Sequence, residues 1–361
     1  MTGWTVENTY LLDMLLEPIR MSIVIIGEKT SLHAGNSPKR NQLLINKRNI
    51  VPFMFKIVKT LVTRGQSAWI NSINSSEAIR EVSTKKDSEF EQWLTGVTDG
   101  DGTFHFTQSN GKWVFYFKIS QSFYNLRLLY YIKKKLGVGE ISISKNMAEY
   151  RIRDRKKLLQ YIIPIFEENK LLTSKYYNYE LFKKALFIAT DISLNNHLKQ
   201  EKITIYKEMI RPIGYISPVF SQVGNKINNL EDAKLIMTKS WLIGFTEAEG
   251  SFYLFHKDKN RISHGFEITQ KDKIVLDAAA QLLNVKVKTK KTYFTVYADT
   301  IKEISNIIIF YHNTMKGIKS LEYRIWARSF NKKGNEKYMY LSKVLLQMRN
   351  IRSIRLDKNK G

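Results

Sequence analysis

The sequence predicts an α+β fold of two pseudo-symmetric αββαββα units, packed on each other through one repeated helix and each carrying an open antiparallel sheet. Two observations predict it. A decapeptide occurs twice: residues 93–102 read W-L-T-G-V-T-D-G-D-G and residues 241–250 read W-L-I-G-F-T-E-A-E-G. Eight of the ten positions match or are close substitutes, and the copies lie 148 residues apart, a spacing of two similar units and not of a short-period solenoid. The second observation is that each copy is followed by the same succession of hydrophobic periodicities.

The repeated segment reads as a helix. Ser88 and Glu91 form a capping-box pattern that predicts a start just ahead of the first copy. Trp93, Leu94 and Val97 then share one apolar stripe. Gly96 and Gly100 are four apart, as are Gly244 and Ala248. A Gly inside a helix costs about 1 kcal/mol against Ala, and small residues at that spacing let two helix backbones approach closely. If the copies pack in this way, their last acids, Asp101 and Glu249, meet at the bottom of the pair. There they repel each other and the local helix dipoles. A divalent cation relieves both conflicts, and Mg²⁺ takes one or two protein carboxylates and fills its shell with water and phosphate oxygens. That is equipment for metal-assisted phosphodiester hydrolysis.

After the first copy, residues 102–108 alternate, with Phe104 and Phe106 on one face and Thr103, His105 and Thr107 on the other. Asn110-Gly111 is a hairpin turn, and residues 112–121 return with Trp113, Phe115, Phe117 and Ile119 inward. Residues 125–136 are helical and stop at Gly137; residues 138–146 and 149–153 pair as strands with Arg151 and Arg153 outward. Helices follow at 158–168 and 175–189. The second copy is followed by strands at 250–256 and 261–270, a helix at 273–283, strands at 284–290 and 293–298, and helices at 301–311 and 321–330. The domain division is then a leader or extension at 1–86, a first unit at 87–195, a linker at 196–236, a second unit at 237–335 and a basic C-terminal extension at 336–361. Within the leader, residues 10–21 have helical spacing, 27–46 are loop-like and 50–62 are a short apolar run. The linker contains a helix at 200–209 and a Pro- and Gly-punctuated stretch at 211–230.

Lys and Arg number 58 against 33 acids, a net charge of +25, which points to a polyanionic partner, most often nucleic acid. The chain has no Cys, which excludes disulfides and thiolate metal sites. Its six scattered His have no ligand spacing for zinc, and no apolar run reaches the roughly 18 residues of a membrane span. The outward faces of both sheets carry Lys, Arg, Thr, Ser, Tyr and His, and two-stranded ribbons fit the major groove. Lys118, Arg151, Arg153, Lys286 and Lys288 are the candidate DNA contacts.

The doubled segment resembles the signature of the LAGLIDADG homing endonucleases, residues 94–102 and 242–250 being the two copies. Two copies in one chain look like the monomeric branch of that family, and the resemblance covers roughly residues 88–335. It implies a saddle of two sheets on double-stranded DNA with a long asymmetric site. It also implies Asp101 and Glu249 as metal ligands for Mg²⁺, with Mn²⁺ able to substitute, and Asp99 and Glu247 as braces of the helix interface. Gln121 and Gln270, 20 and 21 residues beyond the final acids, match positions that order water beside the metals. Lys175 and Lys319 match a basic position near the scissile phosphates. Each lies four before a Tyr and seven before an aromatic, which places it at a helix start where a cation is disfavoured. The replacement of Asp99 and Asp101 by Glu247 and Glu249 makes the half-sites unequal. The implied function is site-specific double-strand cleavage promoting intron mobility, in the mitochondrion. The alternative is an RNA maturase that binds its group I intron, to which Lys343, Arg349, Arg352, Arg355, Lys358 and Lys360 of the C-terminal stretch would contribute.

Overall fold

The computed structural model describes residues 76–357, and the side chains of residues 88–351. The expected helix at 10–21, loop at 27–46 and apolar run at 50–62 lie outside the described residues. The first motif copy ends helix α1 (Ser76–Asp101). Strands β1 (Gly102–Ser109) and β2 (Lys112–Ser122), helix α2 (Leu126–Leu136), and strands β3 (Glu140–Ser144) and β4 (Met147–Ile152) follow. Three consecutive helical turns, Arg155–Lys157, Leu158–Ile162 and Ile163–Glu168, form α3; then come α4 (Lys175–Thr190) and α5 (Asn196–Glu208). A short helix α6 (Leu230–Ile236) precedes α7 (Lys239–Glu249), which is the second motif copy. The second unit continues with β5 (Gly250–Asp258), β6 (Arg261–Gln270), α8 (Lys273–Leu283), β7 (Lys286–Thr289), β8 (Phe294–Ala298), α9 (Ile301–Tyr311), α10 (Lys319–Phe330) and α11 (Lys337–Asp357).

The two sheets have the same antiparallel order, β1-β2-β4-β3 and β5-β6-β8-β7. Their inward faces are those the alternation predicts. Trp113, Phe115, Phe117 and Ile119 are buried, and Lys118 and Arg151 face outward, opposite each other in the β2/β4 register. Each core is centred on the Phe two residues beyond its motif. Phe104 lies 5.1 to 5.6 Å, ring to ring, from Phe117, Phe166, Tyr179 and Phe182. Phe252 lies 5.1 to 5.7 Å from Phe266, Tyr311, Tyr323 and Trp326. The aromatics four and seven residues after each candidate Lys are therefore core, as helical spacing requires.

Several boundaries differ from expectation. Helix α1 begins at Ser76, twelve residues before Ser88, which sits in mid-helix with its hydroxyl accepting from Gln92. A capping-box pattern is local; the helix-compatible residues before it let the helix continue. Helix α3 starts earlier than 158 because the Asp154 carboxylate accepts from the Lys157 N–H, whereas α9 keeps the expected bounds and opens on a capping box of Thr300 and Glu303. The stretch at 211–230 is not loose. Phe220 is fully buried, and the buried Ser217 hydroxyl donates to Leu171 O at 2.8 Å.

The C-terminal stretch is also more than a solvated tail. Helix α11 buries Leu341, Val344, Leu345 and Met348, while Lys343 and Arg349 are exposed. Its Tyr338 hydroxyl donates to Lys259 O in the β5/β6 hairpin. Helix α5 does the equivalent service in the first unit: Gln200 donates to Gly111 O in the β1/β2 hairpin and Lys207 Nζ to Phe106 O on β1. Each unit thus ends in a helix that covers the outer strand of its sheet, where unpaired backbone groups are a liability. The side chains of Arg352 and Arg355, and all of Lys358 and Lys360, lie outside the described part of the chain.

Helices α1 and α7 meet backbone to backbone. A Cβ on Gly96 would run into Trp241 O and Phe245 N, and one on Gly244 into Trp93 O and Val97 N. Helix propensity alone predicts that Gly244→Ala stabilises by about 1 kcal/mol. The packing predicts a loss of about 1–3 kcal/mol, because backbone cannot rotate aside as a side chain can. Calorimetric unfolding of Gly244→Ala against the parent decides the sign, and a raised Tm would mean the helices do not meet this way.

Candidate active site

Because α1 and α7 are in register at Gly96 and Gly244, they end together. Asp101 and Glu249 are the last residues of the two helices, and each is followed by a Gly that opens a strand. A Cβ at Gly100 would touch Ala248 Cβ, and would lie 3.3 Å from Glu249 Cγ. Both acids are half-buried, so they are neither sealed nor freely solvated. Burial pushes the Glu249 carboxyl above the usual range and the negative charge of Asp101 adds to this, while Lys175 and Lys319 oppose it. Asp101 is likewise raised by burial, against the hydrogen bond from Gln121 and the charges of the same two lysines.

The lysines resolve the oddity of a cation at a helix start. Each leaves its own helix and reaches the end of a motif helix. Lys175 Nζ donates to Thr98 O at 3.1 Å and to Gly100 O; Lys319 Nζ donates to Glu247 O at 2.8 Å and Ala248 O at 3.3 Å. The last carbonyls of a helix lack intrahelical donors and carry partial negative charge. An ammonium group there satisfies them and offsets the carboxylate at the same end.

The leading acids are fully inside. Asp99 accepts from the N–H groups of Leu172 (2.8 Å) and Thr173 (3.0 Å), from the Thr173 hydroxyl (2.5 Å) and from Trp241 Nε1 (3.0 Å) across the interface. Burial pushes its pKa up to about 6 in spite of those donors. Glu247 accepts from Lys316 N and Gly317 N through one oxygen. Its other oxygen is buried without a hydrogen bond, and so is Trp93 Nε1, the counterpart of the Trp241 donor. The pseudo-symmetry fails at this contact.

It fails again at the glutamines. Gln121 Nε2 donates to Asp101 Oδ2 at 2.5 Å. Gln270 Oε1 accepts from its own neighbour, Lys271 N, at 2.7 Å. Asp101, Glu249, Gln121, Lys175 and Lys319 therefore form one cluster, and no described bond joins Gln270 to it.

A family model described as LAGLIDADG endonuclease matches residues 94–186 and 242–330, which together span both motif copies and both sheets. The chain belongs to the LAGLIDADG endonuclease family. It is 40% identical over 275 residues to the probable intron-encoded endonuclease Cox1-I1b of Schizosaccharomyces pombe, covering 72% of this chain and 68% of that protein. Among solved structures, the LAGLIDADG homing endonuclease I-SmaMI bound to cleaved DNA superposes with a TM-score of 0.59 at 24% identity, over 71% of this chain and 95% of that one. I-GzeII in complex with its DNA target gives 0.58 at 21%, over 71% and 96%. At those identities the two structures establish a shared fold.

For a LAGLIDADG protein the pair of final acids is a sparse but suitable cation site. Among the described residues, no group of three or more His, Cys, Asp or Glu stands together. Asp101 and Glu249 are an oxygen-only donor pair at half-exposed helix ends. That suits a hard cation that keeps water and takes substrate phosphate as further ligands.

Of the candidate DNA contacts, Lys118, Arg151, Lys286 and Lys288 lie on the sheets. Lys286 and Lys288 are exposed, and Lys288 Nζ sits 3.4 Å from the centre of the Tyr297 ring. Arg153 is exposed just past the end of β4, and Arg151 is half-buried beside it. Lys118 is less free: it is paired with Glu149 at 2.8 Å, and that bond holds the Glu149 carboxyl below the usual range. Residues missed in the sequence include Thr173, Asn125 and Asp272. Thr173 had no pattern to mark it. Asn125 and Asp272 stand four and two residues beyond the glutamines, and that unequal offset hides them from a comparison of the two copies.

Replacing Lys286 and Lys288 together with Ala should weaken DNA binding. It should also flatten the plot of log K against log salt by about one unit for each phosphate that is no longer neutralised. Fluorescence anisotropy with a duplex at several salt concentrations measures the slope, and an unchanged slope removes both from the interface.

Proposed function

We propose that this protein is an intron-encoded, site-specific double-strand DNA endonuclease that depends on Mg²⁺, with one catalytic centre for each strand. The observation that carries the reading is the convergence of Asp101 and Glu249 from distant parts of the chain into one half-buried, lysine-flanked site. A bound divalent cation would supply Lewis-acid stabilisation of the phosphate and a water of lowered pKa. The protein's own residues do the rest. Asp101 and Glu249 present carboxylate oxygens to hold that cation. Gln121 fixes the Asp101 carboxylate, and both glutamines order water. Lys175 and Lys319 keep positive charge beside the scissile phosphates, where charge develops in the transition state. The open faces of the two sheets bind the duplex, Arg151, Arg153, Lys286 and Lys288 more directly than the paired Lys118.

Because one chain supplies both centres, we read the active form as a monomer. The units are residues 87–195 and 237–335, to which α5 and α11 add the edge-covering helices. The Schizosaccharomyces pombe relative is named for an intron of Cox1, and we place this protein likewise in the mitochondrion, where it promotes movement of its own intron. An RNA-binding maturase role rests on the exposed Lys343 and Arg349 of α11; a splicing assay on the intron with and without those two side chains tests it.

Asp101→Asn keeps the shape and an acceptor but loses the charge that holds a cation. It should abolish cutting of at least one strand, at least about 10²-fold in rate, with DNA affinity in the absence of Mg²⁺ nearly unchanged. The substrate is the duplex selected for cleavage from a randomised library in Mg²⁺. Full double-strand cutting by this variant refutes the assignment.

A further inference from the structure

We infer that Asn125 is a positioning residue shared by both catalytic centres, tying Gln121 in the first to the Lys319 segment in the second; this rests on the nuclease reading above. Asn125 is buried and occupies the N-cap position of α2. Asn is among the best N-cap residues because its side-chain oxygen accepts from the first helical N–H groups. Here it caps nothing in its own helix. Its Oδ1 accepts instead from Ile318 N in the other unit at 2.8 Å, and its Nδ2 donates to Gln121 Oε1 at 2.8 Å. The contact is close: a Cβ on Gly317 would run into Asn125 Oδ1 and stand 3.1 Å from Glu247 Oε2.

The chemistry of this chain has a forced direction. Ile318 N is a backbone donor and cannot do otherwise, so the Asn125 atom facing it must be the oxygen. The amide nitrogen of Asn125 is then left for Gln121, which must offer its oxygen. Gln121 in turn is compelled to present its NH₂ group, and not its oxygen, to Asp101. A backbone N–H beside one candidate lysine and the carboxylate of the opposite centre thus demand the same orientation of the two amides between them. The two ends of an amide are nearly isosteric, so its hydrogen-bond partners decide which way it faces.

The same construction appears at the matching place. Asp272 holds the N-cap position of α8, caps nothing there, and accepts from Ser174 N of the first unit at 2.7 Å. Ser174 and Ile318 are the residues immediately before Lys175 and Lys319, and both lysine-bearing helices begin without a side-chain cap of their own. Each lysine segment is therefore held by the other unit. Only the Asn125 side extends to a glutamine, because Gln270 is turned to Lys271 N and a carboxylate at 272 has no proton to donate. The coupling is one-sided.

The two links can be cut separately and together. Gln121→Ala removes the first arm. Ile318→Pro removes the backbone donor with little backbone strain, since Ile318 already has φ −61°, close to the value proline imposes; it also exchanges the half-buried Ile side chain and sets the ring Cδ against Asn125 Oδ1. Asn125→Ala removes both. Each is compared with the parent on the library-selected duplex, with the strands labelled separately, at saturating protein and in Mg²⁺. Removing such supporting hydrogen bonds costs about 10- to 100-fold. Gln121→Ala should slow by that much the nick made with Asp101, Ile318→Pro the other nick, and Asn125→Ala both. Adding Asn125→Ala to Gln121→Ala should slow the Asp101 nick no further, the mark of groups acting in series. Duplex affinity without Mg²⁺ should stay near parental values. Parental rates on both strands in Asn125→Ala overturn the inference, as do equal effects of Gln121→Ala and Ile318→Pro on both strands; the latter comparison stands alone should Asn125→Ala fail to fold. A parent that cuts neither strand overturns the nuclease reading itself, a separate result.

Discussion

The tightest constraint among the described glycines is the passage of Trp241 O over Gly96 and of Trp93 O over Gly244. Two helix backbones touch there with no side chain between them. Everything chemical depends on it. Rotating or lifting either helix by the width of a methyl group would move Asp101 and Glu249 apart. They would then cease to share the field of Lys175 and Lys319. The helix propensity given up at these glycines is recovered as register: the ends of α1 and α7 coincide because their middles can fit together in one way.

A second conflict follows from that register. Two helices that end side by side bring two sets of unpaired carbonyls and two carboxylates into one place. The protein answers with ammonium groups carried in from α4 and α10, which bond to the carbonyls. Lys175 and Lys319 are therefore part of the structure as well as candidates for the chemistry. Burial lowers the Lys175 pKa while Asp99, Asp101 and Glu249 raise it, so the acids support its charged form in a place where water alone would not. The same groups that make the fold tolerable make the site suited to a phosphate.

The two units are alike in topology and unalike at the site. Asp99 has a full set of donors including Trp241, whereas Glu247 and Trp93 each keep a buried polar atom unpaired. The longer Glu side chain reaches Lys316 N and Gly317 N in a different geometry from that of Asp99 with Leu172 and Thr173. Gln121 is committed to Asp101, and Gln270 to the backbone N–H of Lys271. Such differences cost a duplicated protein little in fold, because they sit between two intact aromatic cores. They give the two strands of a bound duplex unequal surroundings.

The sequence by itself determined the doubled architecture, since periodicity, turn residues and the spaced glycines are local properties, and local properties survive in a linear text. It also determined the inward faces of the strands, the Tyr179/Phe182 and Tyr323/Trp326 core positions and the final acids. Tertiary structure alone decided where the lysines point, that α11 is a packed edge cover and not a basic tail, and that Asn125 and Asp272 abandon their own helices for the opposite unit. Those outcomes depend on which backbone donor or acceptor lies across an interface. A capping residue looks the same in sequence whether its oxygen turns to its own helix or to a neighbour 193 positions away, as Asn125 does to Ile318.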